Sequence, residues 1–244
     1  MVNEKDLQLV HSVSTVLESD GATSTYLFNA KFTNLVRVNL VLLKVFLEEK
    51  RRKGLMITID RPHQYLSHLM QLHALDQTNL VFIDTISGHA SDTKGGAVAP
   101  EFQNGPFQIE TLPDFLYGHG NGGSRFIVDM GKVEFVIIDN VSTLLTYNTM
   151  ESVKRFLQKY LDIIGKTSPN GIQTVLVMDR DLHPDLFQFI AALSKKAIDL
   201  GPDMTIERVN VSGVQVPESQ HSSPQTSVGT IGVNQGIPRN KEVM

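Results

Sequence analysis

The sequence predicts a three-layer α/β domain with a mainly parallel central sheet. Short apolar runs alternate along the chain with segments whose apolar residues have helical spacing, which is the pattern of βαβ units. The apolar runs are continuous and do not alternate with polar residues. Continuous runs are typical of strands in a sheet that helices cover on both faces. A chain of 244 residues is long enough to bury a sizeable core in such a domain.

The composition argues against several classes of function. The formal net charge is −4, so nucleic acid is a poor candidate partner, because affinity for it comes mainly from Lys and Arg bound to phosphates. Cysteine is absent, which excludes disulfides and thiolate metal sites. We find no secretory signal and no apolar run of about 18 residues. We therefore expect a cytoplasmic protein that does not contact membranes.

We expect three parts along the chain. Residues 1–19 contain an N-terminal helix, residues 20–212 form the α/β domain, and residues 213–244 form a disordered tail, because the tail is polar and aperiodic. Inside the domain, residues 86–124 are rich in Gly, Ser, Asn and Pro. We interpret them as a long loop with a possible short helix near 111–117, and loops of this length are usually functional or disordered.

Helices and strands are predicted in a regular order. The predicted helices span residues 5–18, 35–53, 62–75, 150–164 and 184–195. The predicted strands span residues 25–28, 55–60, 80–84, 135–139, 174–179, 197–200 and 204–211. The helix over 35–53 ends in a run of cations that suits the helix dipole, and we expect Gly54 to be its C-cap.

Four of the predicted strands end in Asp, at Asp60, Asp84, Asp139 and Asp179. Ligands of parallel α/β sheets bind beyond the carboxyl ends of the strands, so these carboxylates are candidate site residues. Each of them also has a structural interpretation, since Asp commonly caps the segment that follows a strand. The sequence alone leaves the two interpretations open.

Two of these strand ends resemble segments of the RecA/KaiC-like ATPases. Residues 135–145, FVIIDNVSTLL, are similar to the Walker B segment, where an apolar strand ends in Asp and continues into a Ser/Leu-rich stretch. Residues 56–62 resemble the second core strand, which ends in an acidic pair before a helix, although Arg61 follows Asp60 here. The resemblance implies that Asp139 supports Mg²⁺ and that Asp60 is the catalytic carboxylate in an active relative.

The same resemblance extends over roughly residues 20–205. Residues 197–200, AIDL, look like the closing strand of the family. The order and spacing of the three segments carry the resemblance, since each segment alone is a weak signal. It implies a RecA-like P-loop fold and side-by-side assembly, either with further copies or with an active relative.

The segment after the first predicted strand departs from the family pattern. A Walker A motif, GxxxxGK[ST], cradles phosphates with its backbone N–H groups, neutralises them with its Lys and holds Mg²⁺ through its hydroxyl. Here Asn29 and Asn34 stand at the glycine positions, Leu35 at the Lys position and Val36 at the Ser/Thr position. We therefore do not expect tight nucleotide binding. Lys31 is the cation in this segment that could reach inward as a substitute.

These departures imply a non-catalytic RecA/KaiC-like protein without a cofactor. We expect it to be a regulatory or scaffolding subunit that acts through protein contacts or self-association. One alternative is a divergent ATPase of the KaiC type that binds ATP and Mg²⁺, with Asp60 as the base and Asp139 as the metal-supporting residue. A second alternative is a DNA-repair recombinase paralogue, which the acidic net charge disfavours.

Three histidines of one predicted helix do not form a metal-binding pattern. His63, His68 and His73 recur every five residues. Five residues turn a helix by about 500°, which separates the rings, whereas helical metal pairs use a spacing of three or four. We interpret these side chains as surface or core histidines.

Overall fold

A computed structural model describes residues 4–18, 23–87, 105–117, 130–167 and 171–211. These residues belong to one unit of the chain. The predicted tail at 213–244 lies outside the described residues, as do residues 88–104 and 118–124 of the predicted loop. Within the described ranges, no helix is long and apolar enough to cross a bilayer.

The centre of the fold is a seven-stranded sheet in the order β3-β2-β4-β5-β1-β6-β7. Strands β1 to β6 are parallel, and β7 is antiparallel to β6. The strands are β1 (Ser24–Asn29), β2 (Gly54–Thr58), β3 (Leu80–Asp84), β4 (Phe135–Ile138), β5 (Gln173–Met178), β6 (Lys196–Leu200) and β7 (Ile206–Val211). The predicted α/β class with a mainly parallel sheet is confirmed.

Helices cover both faces of this sheet. They are α1 (Glu4–Glu18), α2 (Leu35–Lys44), α3 (His63–Leu72), α4 (Leu112–Tyr117), α5 (Leu144–Tyr147), α6 (Met150–Thr167) and α7 (Pro184–Leu193). Side chains of a strand alternate between the two faces. Tyr26 and Phe28 of β1 therefore pack with α1, α2 and α3, whereas Leu27 packs with α4, α6 and α7.

Aromatic side chains fill both cores. On the α1–α3 side, the rings of Phe46 and Phe135 stack with centroids 4.4 Å apart and an interplanar angle of 9°. On the other side, Phe156 and Tyr160 of α6 are completely buried. Buried aromatic rings remove a large apolar area from water, so these side chains hold the helix layers against the sheet.

The long helix predicted over residues 35–53 is shorter in the structure. Helix α2 continues into one π-helical turn, Val45–Glu49, and the chain then leaves the helix with Arg51 at a φ of 52°. The expectation that Gly54 caps this helix is wrong, because Gly54 is the first residue of β2. A Cβ at Gly54 would lie 2.2 Å from the Phe135 ring, so glycine is needed there for packing.

The other element boundaries differ from the sequence predictions by a few residues. Strand β7 begins at Ile206 and not at 204, because Met204 lies in a turn with a φ of 67°. The turn is closed by a hydrogen bond from the Met204 N–H to the Gly201 carbonyl, 2.9 Å long. Within the predicted loop, Gly105–Thr111 forms short 3₁₀ turns that lead into α4.

Replacing Gly54 by Ala is expected to lower the free energy of unfolding by about 1–3 kcal/mol, the usual cost of overpacking a core. The new methyl group would meet the Phe135 ring, which is completely buried and stacked with Phe46. Urea unfolding followed by circular dichroism measures the change.

Gly165→Ala is the matched control for this substitution. Gly165 lies in α6, and a Cβ there would meet nothing within 4 Å. Because Ala has a higher helix propensity than Gly, we expect the free energy of unfolding of this variant to rise by about 0.5–1 kcal/mol. Equal losses in the two variants would contradict the packing explanation.

Candidate functional site

The candidate site lies where the parallel strands end, beyond β1, β2, β4 and β5. Asn29 is the last residue of β1 and is buried between two neighbouring strand ends. Its Nδ2 donates a hydrogen bond to Oδ1 of Asp199 at 2.8 Å, and its Oδ1 accepts one from the backbone N–H of Arg180 at 2.8 Å. Asn29 therefore ties β1 to β6 and to the segment after β5.

The loop after β1 is hydrogen-bonded to the side chain of Asp179, which follows β5. The backbone N–H of Phe32 donates to Oδ2 of Asp179 at 2.7 Å. The other carboxylate oxygen, Oδ1, accepts the N–H of Asp181 at 3.0 Å. Asp179 is buried at the end of β5. A backbone N–H at the position expected for a phosphate-binding loop is thus already paired with an anion.

The remaining loop residues contribute no cation directed into the site. Lys31 forms an ion pair with Asp181, and the two side chains are 55% and 57% exposed. The hydrogen bond between them raises the pKa of Lys31 and lowers the pKa of Asp181. Asn34 donates through Nδ2 to the Pro202 carbonyl at 3.3 Å.

Two apolar residues begin helix α2. Leu35 is buried in the core on the α1–α3 side, and Val36 is half-buried. Neither side chain can neutralise a phosphate or bind a metal ion, since both are hydrocarbon. The N-terminus of α2 therefore offers backbone N–H groups but no charged or hydroxyl side chain from these two positions.

Asp139 follows β4 and holds the end of β2. Its Oδ1 accepts the N–H of Ile59 at 2.8 Å, and its Oδ2 accepts the N–H of Asp60 at 3.4 Å. Burial raises the pKa of Asp139 to about 7, and the neighbouring negative charge of Asp60 acts in the same direction. Hydrogen bonds from these N–H groups oppose the rise without cancelling it.

Asp60 lies half-buried beside Asp139 and is also paired within the chain. Its Oδ1 accepts a hydrogen bond from the Thr143 hydroxyl at 3.1 Å, and its Oδ2 lies 3.4 Å from Nε of Arg61. The Arg61 guanidinium in turn lies over the Tyr65 ring, 5.2 Å from the centroid. Asp60 thus forms a small polar cluster with Thr143 and Arg61.

A cavity of about 20 Å³ separates these carboxylates from helix α2. Asn39 and Asn140 both line it, and Oδ1 of Asn39 and Nδ2 of Asn140 are buried without a hydrogen-bond partner among the described residues. A polar cavity of this size holds about one water molecule. Small-molecule sites are roughly 300–1,000 Å³, so the cavity is far too small for a nucleotide.

Asp84 supports local structure at the end of β3. It is completely buried, and its Oδ2 accepts both the N–H of His63 at 2.8 Å and the His63 ring nitrogen Nδ1 at 2.6 Å. Burial alone would raise the pKa of Asp84, but the hydrogen bonds from His63 and Ser87 together hold it below its usual value. The interpretation of His63 as an isolated surface or core side chain missed this contact.

The structure brings the residues singled out from the sequence into two groups. The loop residues lie at the ends of β1 and β5, whereas Asp60 and Asp139 lie at the ends of β2 and β4. Leu35 and Val36 line the small cavity beside Asp60 and Asp139. The positions of Leu35 and Val36 do not fit a nucleotide with Mg²⁺, because Leu35 supplies no cation and Val36 no hydroxyl. Within the described ranges, no cluster of three or more His, Asp or Glu side chains could hold a metal ion.

Two carboxylates that shape the site were only partly anticipated from the sequence. Asp179 is a candidate as an Asp that ends a predicted strand, and Asp199 lies in the segment that resembles the closing strand, but their partners were not predicted. Their hydrogen bonds join residues 147 and 170 positions apart in the chain. The only signal in the sequence was the position of each Asp at or near the end of an apolar run.

Comparison with solved structures identifies the fold. A KaiC-like protein from the hyperthermophilic archaeon Pyrococcus horikoshii matches 82% of this chain and 82% of its own, with a TM-score of 0.52 and 14% identity. An uncharacterized protein from the same organism, in complex with an unknown peptide, matches 82% of this chain and 88% of its own, with a TM-score of 0.57 and 16% identity. The chain therefore has a RecA/KaiC-like fold. No family model and no curated protein sequence matches it.

Replacing Asp139 by Asn is expected to change how stability depends on pH. The pKa of Asp139 is raised in the folded protein, so the folded state holds a proton that the unfolded chain releases between about pH 4 and pH 7. Stability of the wild-type protein therefore falls as pH rises through this window. The amide of the Asp139→Asn variant cannot titrate. The free energy of unfolding of this variant, relative to that of the wild type, should therefore rise by a few kcal/mol between pH 4 and pH 8.

Urea unfolding of both proteins at pH 4, 6 and 8 measures this difference. Asp84 acts in the opposite sense, because its pKa is lowered and its contribution is lost as pH falls below about 4. Asp84 is present in both proteins, so its effect cancels in the comparison. Unfolding free energies that stay parallel from pH 4 to pH 8 would contradict the assignment to Asp139.

Proposed function

We propose that this protein is a non-catalytic RecA/KaiC-like subunit that regulates or scaffolds through protein contacts. The observation that supports this most directly is the hydrogen bond from the Phe32 N–H to the buried Asp179 carboxylate. In this position an active relative would need a free N–H group for a phosphate. The chain instead supplies its own anion to the loop.

A nucleotide would have to overcome two obstacles at this loop. It would first displace Asp179, and hydrogen bonds to charged groups contribute about 1.5–3 kcal/mol each. The phosphates would then approach the buried carboxylates of Asp179 and Asp199, which repel them. Lys31 would compensate little, because it is exposed and paired with Asp181.

The surface around the loop suits a protein partner. Phe32 is 43% exposed and Leu182 is 50% exposed, although both are large apolar side chains. They directly follow Lys31 and Asp181, which are joined by an ion pair, so the two side chains belong to one area of the surface. Aromatic residues are enriched at protein interfaces, whose apolar core is surrounded by a polar rim.

One of the comparisons is consistent with this kind of partner. The archaeal protein of similar fold that is in complex with an unknown peptide shows that a chain of this fold can bind a polypeptide. The likeness is one of fold at 16% identity. It supports a polypeptide as the class of partner and does not indicate which surface is used.

A divergent ATPase is the second candidate, and one observation favours it. Asp60 and Asp139 lie together at a polar cavity with Asn39 and Asn140, where two side-chain atoms have no partner among the described residues. In this alternative, Asp139 would support Mg²⁺ through the lone pairs that its bond to the N–H of Ile59 leaves unused. The 20 Å³ cavity would have to open widely.

The first test is binding of a fluorescent ATP analogue with and without Mg²⁺. We expect no binding and no thermal shift at millimolar nucleotide, because the loop is occupied by Asp179 and lacks a cation. Isothermal titration with unlabelled ATP controls for the fluorophore. Mg²⁺-dependent binding at micromolar concentration that Asp139→Asn abolishes would establish the ATPase alternative.

The second test is self-association measured by sedimentation velocity. The double variant Phe32→Ser/Leu182→Ser should associate at least tenfold more weakly than the wild type, since it removes the two exposed apolar side chains of the loop surface. Leu193→Ser, which also removes an exposed leucine but on α7, is the matched control. Equal association of the double variant and the control would contradict a role for the loop surface in self-association.

A further inference from the structure

A second and much larger cavity lies away from the carboxylates at the strand ends. It has a volume of about 350 Å³ and is formed by α1, α2 and the segment after α3. Val36 is the only residue that it shares with the small cavity at Asp139. Its lining residues are Asp6, Val10, Thr33, Val36, Arg37, Leu40, Val41, Lys44, His73 and Leu75.

The walls of this cavity are mainly apolar. Val10, Val41 and Leu75 are buried core residues, and Leu40 packs against the same core. The volume lies within the range of small-molecule sites, which is roughly 300–1,000 Å³. An apolar body of about eight carbon atoms is therefore a suitable occupant for the walls.

The charged residues that line the cavity are predominantly basic. Arg37 and Lys44 outnumber the single acid, Asp6. The Arg37 Nε donates to Asp6 at 2.6 Å, but a guanidinium has five N–H donors, so donors remain for a further acceptor. Lys44 pairs with Glu48, which does not line the cavity, and its ammonium group has three N–H donors. The unused donors of these two cations favour a hydrogen-bond acceptor with negative charge on the ligand.

His73 adds one buried polar atom to the lining of the cavity. Its Nδ1 is buried and has no partner among the described residues. A buried polar group without a partner costs free energy, so this ring nitrogen is a candidate contact for a polar group of a ligand.

We propose that this cavity binds a medium-chain acyl carboxylate. The hydrocarbon chain lies against Val10, Val41 and Leu75, and the carboxylate accepts hydrogen bonds from Arg37 and Lys44. Neither Phe32 nor Leu182, the exposed apolar residues of the loop surface, lines this cavity. No covalent step is involved, and the ligand is held by burial of its chain and by the charge of its head group.

Isothermal titration of the full chain with three ligands of equal chain length tests the proposal. The ligands are octanoate and octylammonium, below their critical micelle concentrations, and octan-1-ol, below its solubility limit. We expect octanoate to bind with a Kd below about 1 mM and the other two to bind at least tenfold more weakly. Binding of octylammonium as tight as that of octanoate would overturn the proposal, because the cavity would then not select an anion.

A pair of lysine variants tests the role of the head group. Lys44→Gln should weaken octanoate binding about tenfold, which corresponds to the loss of one charge-assisted hydrogen bond, and should leave octan-1-ol binding unchanged. Lys159→Gln is the matched control, because Lys159 is paired with Asp114 on the other face of the sheet. Equal effects of the two variants on octanoate would contradict the assignment.

Filling the cavity tests its location. Leu40→Trp should abolish binding of both octanoate and octan-1-ol, and Val36→Phe is a second filling variant in case the first does not fold, which thermal unfolding will show. A folded filling variant that binds octanoate as the wild type does would overturn the proposal. A stable dimer, detected by light scattering, that binds no octanoate would also overturn it, since a second copy would then cover the cavity.

Discussion

The hydrogen bond between the Phe32 N–H and the Asp179 carboxylate holds the loop at the carboxyl end of the sheet. It joins the loop after β1 to the end of the neighbouring strand β5 over 2.7 Å. Asn29 makes the second connection, with one side-chain bond to Asp199 and one to the Arg180 backbone. The path of the loop is therefore fixed by side chains of the protein itself and does not need a bound anion.

The carboxylates at β2 and β4 are also held by groups of the protein. A buried carboxylate such as Asp139 must be neutralised or bound by hydrogen-bond donors. It uses both means, because Ile59 and Asp60 donate to it and burial raises its pKa to about 7. Asp60 remains half-buried and is paired with Arg61. The bonds to Asp139 thus join the ends of β2 and β4.

Much of the fold could be predicted from the sequence, because continuous apolar runs and helical spacing are local properties. The site was predictable only in part. Spacing after the first strand located Asn29 through Val36, but the partner of that loop depends on β5 lying beside β1, and strand order is not a local property. Gly54 was misinterpreted for a similar reason, since the Phe135 ring that excludes a side chain there comes from another strand.

Helix α2 connects the loop surface to the larger cavity. Its first turns carry Val36 and Arg37, which line the cavity, and they follow directly on Phe32 and Thr33 of the loop. A ligand that orders these turns changes the free energy of any partner complex that includes Phe32. By thermodynamic linkage, the partner must then change the affinity for the ligand by the same factor. In an active relative the N-terminus of α2 would bind phosphate. In this protein it would couple the binding of an acyl carboxylate to the binding of a protein partner.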